Sequence, residues 1–427
     1  MTSVALLTSD GRSGVVAGDL VCRLCGAPLE VDVVDLGLSP LCESFLTESQ
    51  LGAAEPFYPL HVKVCTTCWL AQLPAYVQPA EIFTEYAYFS GYSSSWLEHA
   101  QRYVEDIVQR LRLDEESLVV EIASNDGYLL QHFVSRGIPV LGIDPARNVA
   151  RQANVRGVPT LVEFFDSALA RRLVEDGIRP GLVIGNNVLA QVPDLPDFIA
   201  GVALLLADDG TATFEFPHLA RLLGDLEYDT IYHEHFSYFS LFTIREAFAR
   251  SGLAVVDVDE IATHGGSLRV SVKHEGAQAS PAVAALLERE RAEGLTDPRT
   301  YRDFGEQVRR SKAELLDLLL GLRREGKRIA GYGAPGKGTT LLNYCGIGPD
   351  LIEYTVDRNP YKHGRFTPGT HIPIHPPEHI DETRPDVIVV LPWNLAPEIS
   401  RQLAYTAEWG ARLLLPIPHP RLVEPGV

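Results

Sequence analysis

The sequence predicts an α/β protein with two separate parallel sheets behind a small metal-held N-terminal region, and three observations carry that prediction. Two C-x-x-C pairs stand before Pro79, short apolar runs alternate with helical patterns between Leu118 and Lys273, and the same alternation returns after Lys327. At 427 residues the chain is longer than one hydrophobic core usually serves, so several domains are expected. The shifts in texture divide it into residues 1–79, 80–280 and 281–427.

In the first region, Cys22-Arg-Leu-Cys25 and Cys65-Thr-Thr-Cys68 each present two thiolates from a tight turn. Together Cys22, Cys25, Cys65 and Cys68 complete a tetrahedral zinc shell with no position left for water. The metal is therefore expected to be structural and remote from the chemistry. A redox pair is the alternative for this spacing. Cys42 and Cys345 have no partner at ligand spacing and read as small buried residues.

In the second region, Leu118–Ile122, Pro139–Ile143, Leu182–Gly185 and Thr211–Phe216 read as strands of a parallel sheet. Glu121-Ile-Ala-Ser-Asn-Asp-Gly127 forms a polar turn at the carboxyl end of the first strand, the edge where open α/β sheets bind ligands. A dinucleotide loop would need three glycines there to admit a pyrophosphate; this loop has Gly127 alone and carries acids instead. A cationic, phosphate-free nucleoside fits better. Glu121 and Asp126 suit a sulfonium and an amino group, Ser124 and Gly127 share the turn, and Asp144 can accept hydrogen bonds from ribose hydroxyls. Asn186 and Asn187 lie at the same edge, in reach of the cofactor's amino-acid portion. The competing readings are a helix N-cap for Asp144 and turn formation for the two asparagines.

Pro281 to Arg324 reads as connecting helices, with Leu315, Leu316, Leu318, Leu319, Leu320 and Leu322 expected in the core. Beyond it, Arg328–Gly331, Leu351–Val356, Asp386–Leu391 and Arg412–Leu415 predict a second doubly wound sheet. Gly331-Tyr-Gly-Ala-Pro-Gly-Lys-Gly-Thr-Thr340 has the spacing of a phosphate loop, but Gly338 replaces the Ser or Thr that would bind magnesium, which argues against ATP hydrolysis. Gly336 and Lys337 could still cradle a diphosphate. Asp357, Trp393 and Asn394 lie at the ligand-binding edge of that sheet. His264-Gly-Gly-Ser-Leu-Arg269 is a turn entering a strand, from which His264 or Arg269 could meet a sugar; a plain hairpin turn is the alternative.

The charge balance bounds the partners. With 37 basic and 56 acidic residues the net charge is −19, which repels a nucleic-acid backbone or an anionic membrane, so any anionic ligand needs a local cationic site. Met1 to Leu7 lacks a basic leader, and apolar runs such as Val387–Leu391 fall far short of the roughly 18 residues of a membrane helix. A cytoplasmic protein with no membrane or nucleic-acid partner is expected. Oligomeric state leaves no trace in the sequence.

Tyr232-His-Glu-His235 is the densest acid–base cluster, with Tyr238 close behind. His233 and His235 would not share a helical face, so a helical zinc pair is a poor explanation. A structural histidine and a general base remain, the latter suited to an imidazole that titrates near neutrality.

At this point the chain resembles the S-adenosylmethionine-dependent sugar C-methyltransferases of bacterial deoxysugar pathways, over nearly its full length. The resemblance rests on the paired C-x-x-C motifs, Glu121 to Leu130, Asn186-Asn-Val-Leu-Ala190, Phe214-Glu-Phe-Pro217, Tyr232-His-Glu-His-Phe236, His264-Gly-Gly-Ser-Leu-Arg269 and Gly331-Tyr-Gly-Ala334. It implies a zinc-binding N-terminal domain, a central Rossmann-like class I methyltransferase domain and a C-terminal Rossmann-like domain completing a sugar-nucleotide site. It also implies S-adenosylmethionine as cofactor and C-3 of a dTDP-linked 4-keto deoxysugar as acceptor, with His235 as base and Tyr86, Tyr232 and Glu234 around the sugar. Gln191 departs from the pattern, because relatives often carry a titratable histidine there. A 5-C-methyltransferase and a non-catalytic zinc-stabilised binding protein are the alternatives.

Overall fold

The structure is a computed structural model that describes residues 20–84, 91 and 94–426, together with a short antiparallel pair, Val4–Ala5 and Val15–Val16. The side chains of Ser94, Ser95 and His264 lie outside the description. The chain forms two compact units, each assembled from separated stretches. One comprises Met1–Leu29, Cys65–Leu219 and Glu234–Thr296; the other comprises Glu30–Val64, Ala220–His233 and Asp297–Val427.

The first unit is built on seven strands: β1 (Val119–Ile122), β2 (Val140–Ile143), β3 (Thr160–Leu161), β4 (Leu182–Asn186), β5 (Thr211–Pro217), β6 (Leu253–Ile261) and β7 (Ser267–His274). Their spatial order is β6-β7-β5-β4-β1-β2-β3, with β1 to β5 parallel and β7 antiparallel to both β5 and β6. The chain leaves β1 towards β2 and β3, then returns to β4 on the other side. That reversal opens a crevice at the carboxyl ends of β1 and β4. Every residue of β1 and β4 is buried, as strands covered by helices on both faces must be. Packing across the sheet is close: a Cβ on Gly185 would lie 2.5 Å from the Phe214 ring.

The four strands expected in this region all form. A short helix, Gln131–Val134, follows the loop after β1. Gly127 has φ +75°, and after it the Gln131 and Val134 N–H groups make regular helical bonds to Gly127 O and Leu130 O while those of His132 and Phe133 close tighter turns onto Leu129 and Leu130.

In the second unit, β8 (Ile329–Tyr332), β9 (Thr355–Val356), β10 (Ile374–His375), β11 (Val387–Val390), β12 (Arg412–Leu415) and β13 (Arg421–Val423) assemble in the order β10-β9-β8-β11-β12-β13. All pairings are parallel except β12 with β13. Of the predicted strand Leu351–Val356 only Thr355–Val356 pairs; Leu351 belongs to a turn whose N–H reaches Gly348 O. The connecting segment forms two helices, α1 (Pro281–Ala292) in the first unit and α2 (Pro298–Arg324) in the second. The leucine expectation needs correction. Leu315, Leu319 and Leu322 are buried, whereas Leu320 is 38% exposed, because consecutive helical positions rotate through all faces and one stripe alone meets the core. Gly305 on α2 permits a close approach to an early strand, Val31–Ser39: a Cβ there would sit 2.8 Å from the Val33 carbonyl oxygen.

Candidate active site

The four cysteines of the first unit converge. Cys22 Sγ lies 3.5 Å from Cys68 Sγ, Cys25 Sγ lies 3.5 Å from Cys65 Sγ, and all four sulfurs fall within 4.8 Å of one another. A tetrahedron with Zn–S bonds of about 2.3 Å has edges of about 3.8 Å, so the donor set fits zinc. Both knuckles close alike: Gly26 N–H donates to Cys22 O and Trp69 N–H to Cys65 O, with φ +75° and +62°. Donors to sulfur are present as well, Gln72 Nε2 on Cys22 at 3.1 Å and the Thr67 N–H on Cys65 at 3.4 Å.

At the crevice between β1 and β4, the expected cofactor residues come together from three strand ends. Asp144, after β2, accepts the Asn125 N–H through Oδ2 and the Ala146 N–H through Oδ1, both at 2.9 Å. It thereby pins the loop after β1, where Ala123 and Asn125 have φ +59° and +49°. Asp144 is thus a loop anchor as well as a ribose candidate. Asp126 is 1% exposed; its Oδ2 meets Arg156 Nη1 at 2.8 Å and the Gly91 N–H at 3.3 Å. Glu121 Oε2, Ser124 Oγ, Asp126 Oδ1 and Asn186 Oδ1 are buried with no hydrogen-bond partner among the described residues. Burial, with Asp144 and Asp126 nearby, holds the Glu121 carboxyl well above the usual carboxylate range, and burial pushes Asp144 up to about 6. These buried, partly unsatisfied acids fit a ligand carrying positive charge and hydroxyl groups. Asn187, with φ +56°, donates its N–H to Glu215 O at 2.7 Å. Gly127 is held tight, since a Cβ there would sit 3.0 Å from Val158 Cγ2.

Sequence reasoning missed a neighbouring cluster. Glu215 on β5, paired across from Arg269 on β7, is fully buried and binds Arg269 Nη2 at 2.8 Å, His99 Nε2 at 2.9 Å and Thr263 Oγ1 at 3.0 Å. The Arg269 guanidinium also lies 4.5 Å from the Tyr103 ring centre. This candidate sugar contact therefore has its charge committed inside the fold. The Phe214-Glu-Phe-Pro217 and Arg269 motifs were the available signal; their pairing was not readable. His264 lies in the turn Thr263–Gly265, its side chain outside the description.

The acid–base run crosses from one unit to the other between His233 and Glu234. His233, in the second unit, donates Nε2–H to Tyr58 O at 3.2 Å, and burial pushes its pKa down to about 4, so it stays neutral. Glu234 and His235 belong to the first unit and are 5% and 8% exposed. The peptide after His235 is gripped on both sides: Phe236 N–H donates to Ala190 O at 2.7 Å, and Leu73 N–H donates to Phe236 O at 3.0 Å. The Tyr238 ring stands edge-on to His235, with centroids 6.3 Å apart. Ala190 and Gln191 sit in a short 3-10 turn, Leu189–Gln191, a few residues beyond the end of β4, so this contact sets the residue after His235 against that turn. Gln191 is partly exposed there. Tyr232, in the second unit, is also partly exposed, and Tyr86 lies outside the described residues.

In the second unit, Gly336 opens a helix, α3 (Gly336–Cys345), whose first N–H serves the Glu43 carboxylate. Lys337 Nζ donates to Asn394 Oδ1 and lies 4.4 Å from the Trp393 ring centre, while Trp393 Nε1 donates to Asp229 Oδ2 at 2.7 Å. Asp229 and Glu227 are 0% and 2% exposed, and burial raises them to about 6 and about 8. The anticipated diphosphate cradle is thus already met by the protein's own acids: Glu43 takes the Gly336 amide, and Asp229 and Glu227 face Lys337. At the second sheet's edge Asp357 repeats the pattern of Asp144, accepting the Ala334 and Asn359 N–H groups at 2.7 and 2.8 Å.

Comparison with known proteins agrees with this geometry. Residues 22–83 match a zinc binding domain model, residues 96–258 a methyltransferase domain model and residues 262–418 the C-methyltransferase C-terminal domain model. The C-methyltransferase NovU of Streptomyces niveus is 39% identical over 405 residues, covering 94% of this chain and 96% of that protein. Among solved structures, the glycopeptide N-methyltransferase MtfA complexed with S-adenosylmethionine is 15% identical, with 44% of this chain and 96% of that one covered at a TM-score of 0.34. Magnesium protoporphyrin IX methyltransferase from Synechocystis is 16% identical, with 42% and 82% covered and a TM-score of 0.32. On the near full-length match and the three domain models, the chain belongs to the S-adenosylmethionine-dependent sugar C-methyltransferases, enzymes here furnished with a structural zinc domain.

Proposed function

We propose that the enzyme methylates C-3 of a dTDP-linked 4-keto deoxysugar, with His235 as the general base. One observation supports the assignment: the Phe236–Ala190 hydrogen bond holds the His235 peptide beside the turn that follows β4. His233 is the other imidazole of the run, and its neutral ring is already engaged with Tyr58 O.

S-adenosylmethionine, when bound, supplies a methyl group on a positively charged sulfur. Glu121, Ser124, Asp126 and Gly127 would hold its amino and sulfonium portion, Asp144 its ribose, and Asn186 and Asn187 the neighbouring edge. A saturated sugar carbon is not a nucleophile, but the adjacent ketone acidifies its C–H bond. His235 would take that proton, leaving the C–H electron pair as an enolate whose carbon would bond to the methyl group as the methyl–sulfur bond breaks and its electron pair stays on the sulfur, which leaves as a neutral thioether. Tyr232, Glu234 and Tyr86 are proposed around the sugar, where hydroxyl donors lower the energy of the developing oxyanion. Because Arg269 is paired with buried Glu215, and Lys337 donates to Asn394 with the charges of Asp229 and Glu227 nearby, the sugar nucleotide's negative charge requires rearrangement at one of them or other donors. Gln191, His264, Gly336 and Asn394 remain the other candidates for the substrate.

Incubating the enzyme with the 4-keto sugar nucleotide in heavy water tests the base. Wild type should exchange the ring proton beside the ketone, and His235→Asn should not; exchange at the wild-type rate in the variant moves the base elsewhere.

A further inference from the structure

Arg23 stands between the first two zinc thiolates, and the proposed chemistry makes no use of it. Its backbone N–H donates to Gln72 Oε1 at 2.9 Å, while Gln72 Nε2 donates to Cys22 Sγ at 3.1 Å. Metal ligand, arginine and glutamine therefore close a ring of contacts. The guanidinium reaches further: Nη2 donates to Leu73 O and Nη1 donates to Pro193 O at 3.1 Å. Those carbonyls lie in the two segments that grip Phe236, one through the Leu73 N–H and the other through Ala190 O. The cation also sits 5.6 Å from the centre of the Phe236 ring. One side chain thus braces both walls and the ring of the residue that follows His235.

A zinc knuckle alone does not require this. Thiolates, turn hydrogen bonds and donors to sulfur hold the metal, and a residue between the cysteines is free to face water. Instead the guanidinium is withdrawn from water, which is unfavourable unless its donors are satisfied; two main-chain carbonyls take Nη1 and Nη2 and an aromatic face lies nearby, while Nε is buried with no partner among the described residues. No carboxylate forms an ion pair with it among the described residues. The arrangement is directed at the main chain of the Phe236 neighbourhood.

We propose that Arg23 is a positioning residue for methyl transfer, linking the zinc knuckle to the placement of His235. The proposal rests on the reading of His235 as the base. It also means that the zinc, expected to be remote from the chemistry, acts on it through the knuckle. Loosening the brace should displace the imidazole without removing a group that touches cofactor or sugar, and a displacement of about 1 Å lowers the rate by up to about a hundredfold.

The test is Arg23→Met, which keeps the side-chain length and removes the donors, alongside Arg23→Lys and His235→Asn. Arg23→Met should retain one zinc and bind S-adenosylmethionine as wild type does. Its kcat and its rate of ring-proton exchange should both fall about 10- to 100-fold while KM changes less than about threefold, and the pH profile of exchange should shift. Arg23→Lys, able to reach one carbonyl, should recover part of the loss. Wild-type kcat and exchange in zinc-loaded Arg23→Met overturn the proposal. If that variant does not fold, zinc-loaded Arg23→Lys decides alone, and full turnover there has the same meaning. Should His235→Asn keep normal exchange, the base assignment fails instead, which separates the two ideas.

Discussion

Lowering the pH should weaken cofactor binding through Asp144. Its carboxylate is 6% exposed and accepts two backbone N–H groups at 2.9 Å, yet burial still pushes its pKa up to about 6. Holding that charge costs about 3 kcal/mol relative to an ordinary aspartate. The sign follows from the direction of the shift. A carboxyl whose folded pKa is raised contributes stability below its unfolded pKa, about 3.9, and loses that contribution as pH rises through about 6. Below about pH 6 the empty protein therefore carries a protonated Asp144, whereas a ligand offering ribose hydroxyls and a cation favours the ionised form. Binding at such pH should release this proton, so affinity is complete well above pH 6 and falls as pH drops through it. For one proton with a pKa of about 6, the Kd at pH 5 should be about tenfold weaker than at pH 7, or about 1.4 kcal/mol. Calorimetric titration in two buffers of different ionisation heat measures both the affinity and the proton count. Asp144→Asn should bind weakly throughout and lose the slope. A wild-type Kd constant within twofold from pH 5 to 7, or an unchanged slope in the variant, would refute the reasoning.

Metal analysis should find one zinc per chain, and Cys65→Ser or strong chelation should unfold the surrounding unit, read by circular dichroism; a folded, zinc-free protein contradicts the four-thiolate centre. Glu215→Leu should cost about 3–5 kcal/mol in urea unfolding, because it leaves the Arg269 and His99 side chains without their buried partner; a loss below about 1 kcal/mol would mean that the cluster is solvated. Gly127→Ala should destabilise by at least about 1–2 kcal/mol and weaken cofactor binding, since φ is +75° and the new Cβ meets Val158. Wild-type affinity in that variant would show that the loop tolerates a different backbone.

The sheets and the zinc ligands are legible in the sequence because their signals are local. Val119–Ile122 and Leu182–Asn186 are mainly apolar runs that meet polar residues at or near their ends, and Cys22, Cys25, Cys65 and Cys68 announce themselves by spacing. The loop after β1 and Asp144 follow from their position at strand ends. Arg23, Glu215 with His99, and the Asp229–Lys337 group are different. Their partners lie far along the chain, and a single polar residue in an apolar run carries no periodicity that names its mate. The same limit explains Lys337: a phosphate-loop spacing is visible locally, whereas the carboxylates that face the lysine come from a segment before α1. Nor does the alternation of strands and helices reveal that residues 30–64 belong with the C-terminal half of the chain.

The most direct test of the central claim is to supply S-adenosylmethionine carrying a ¹³C methyl group together with a dTDP-linked 4-keto deoxysugar, and to locate the label by NMR. The account predicts a new C–C bond, with the ¹³C methyl coupled to C-3 of the sugar and its signal absent from the His235→Asn reaction. Label on an oxygen or nitrogen atom, or on any carbon other than C-3, C-5 included, would contradict it.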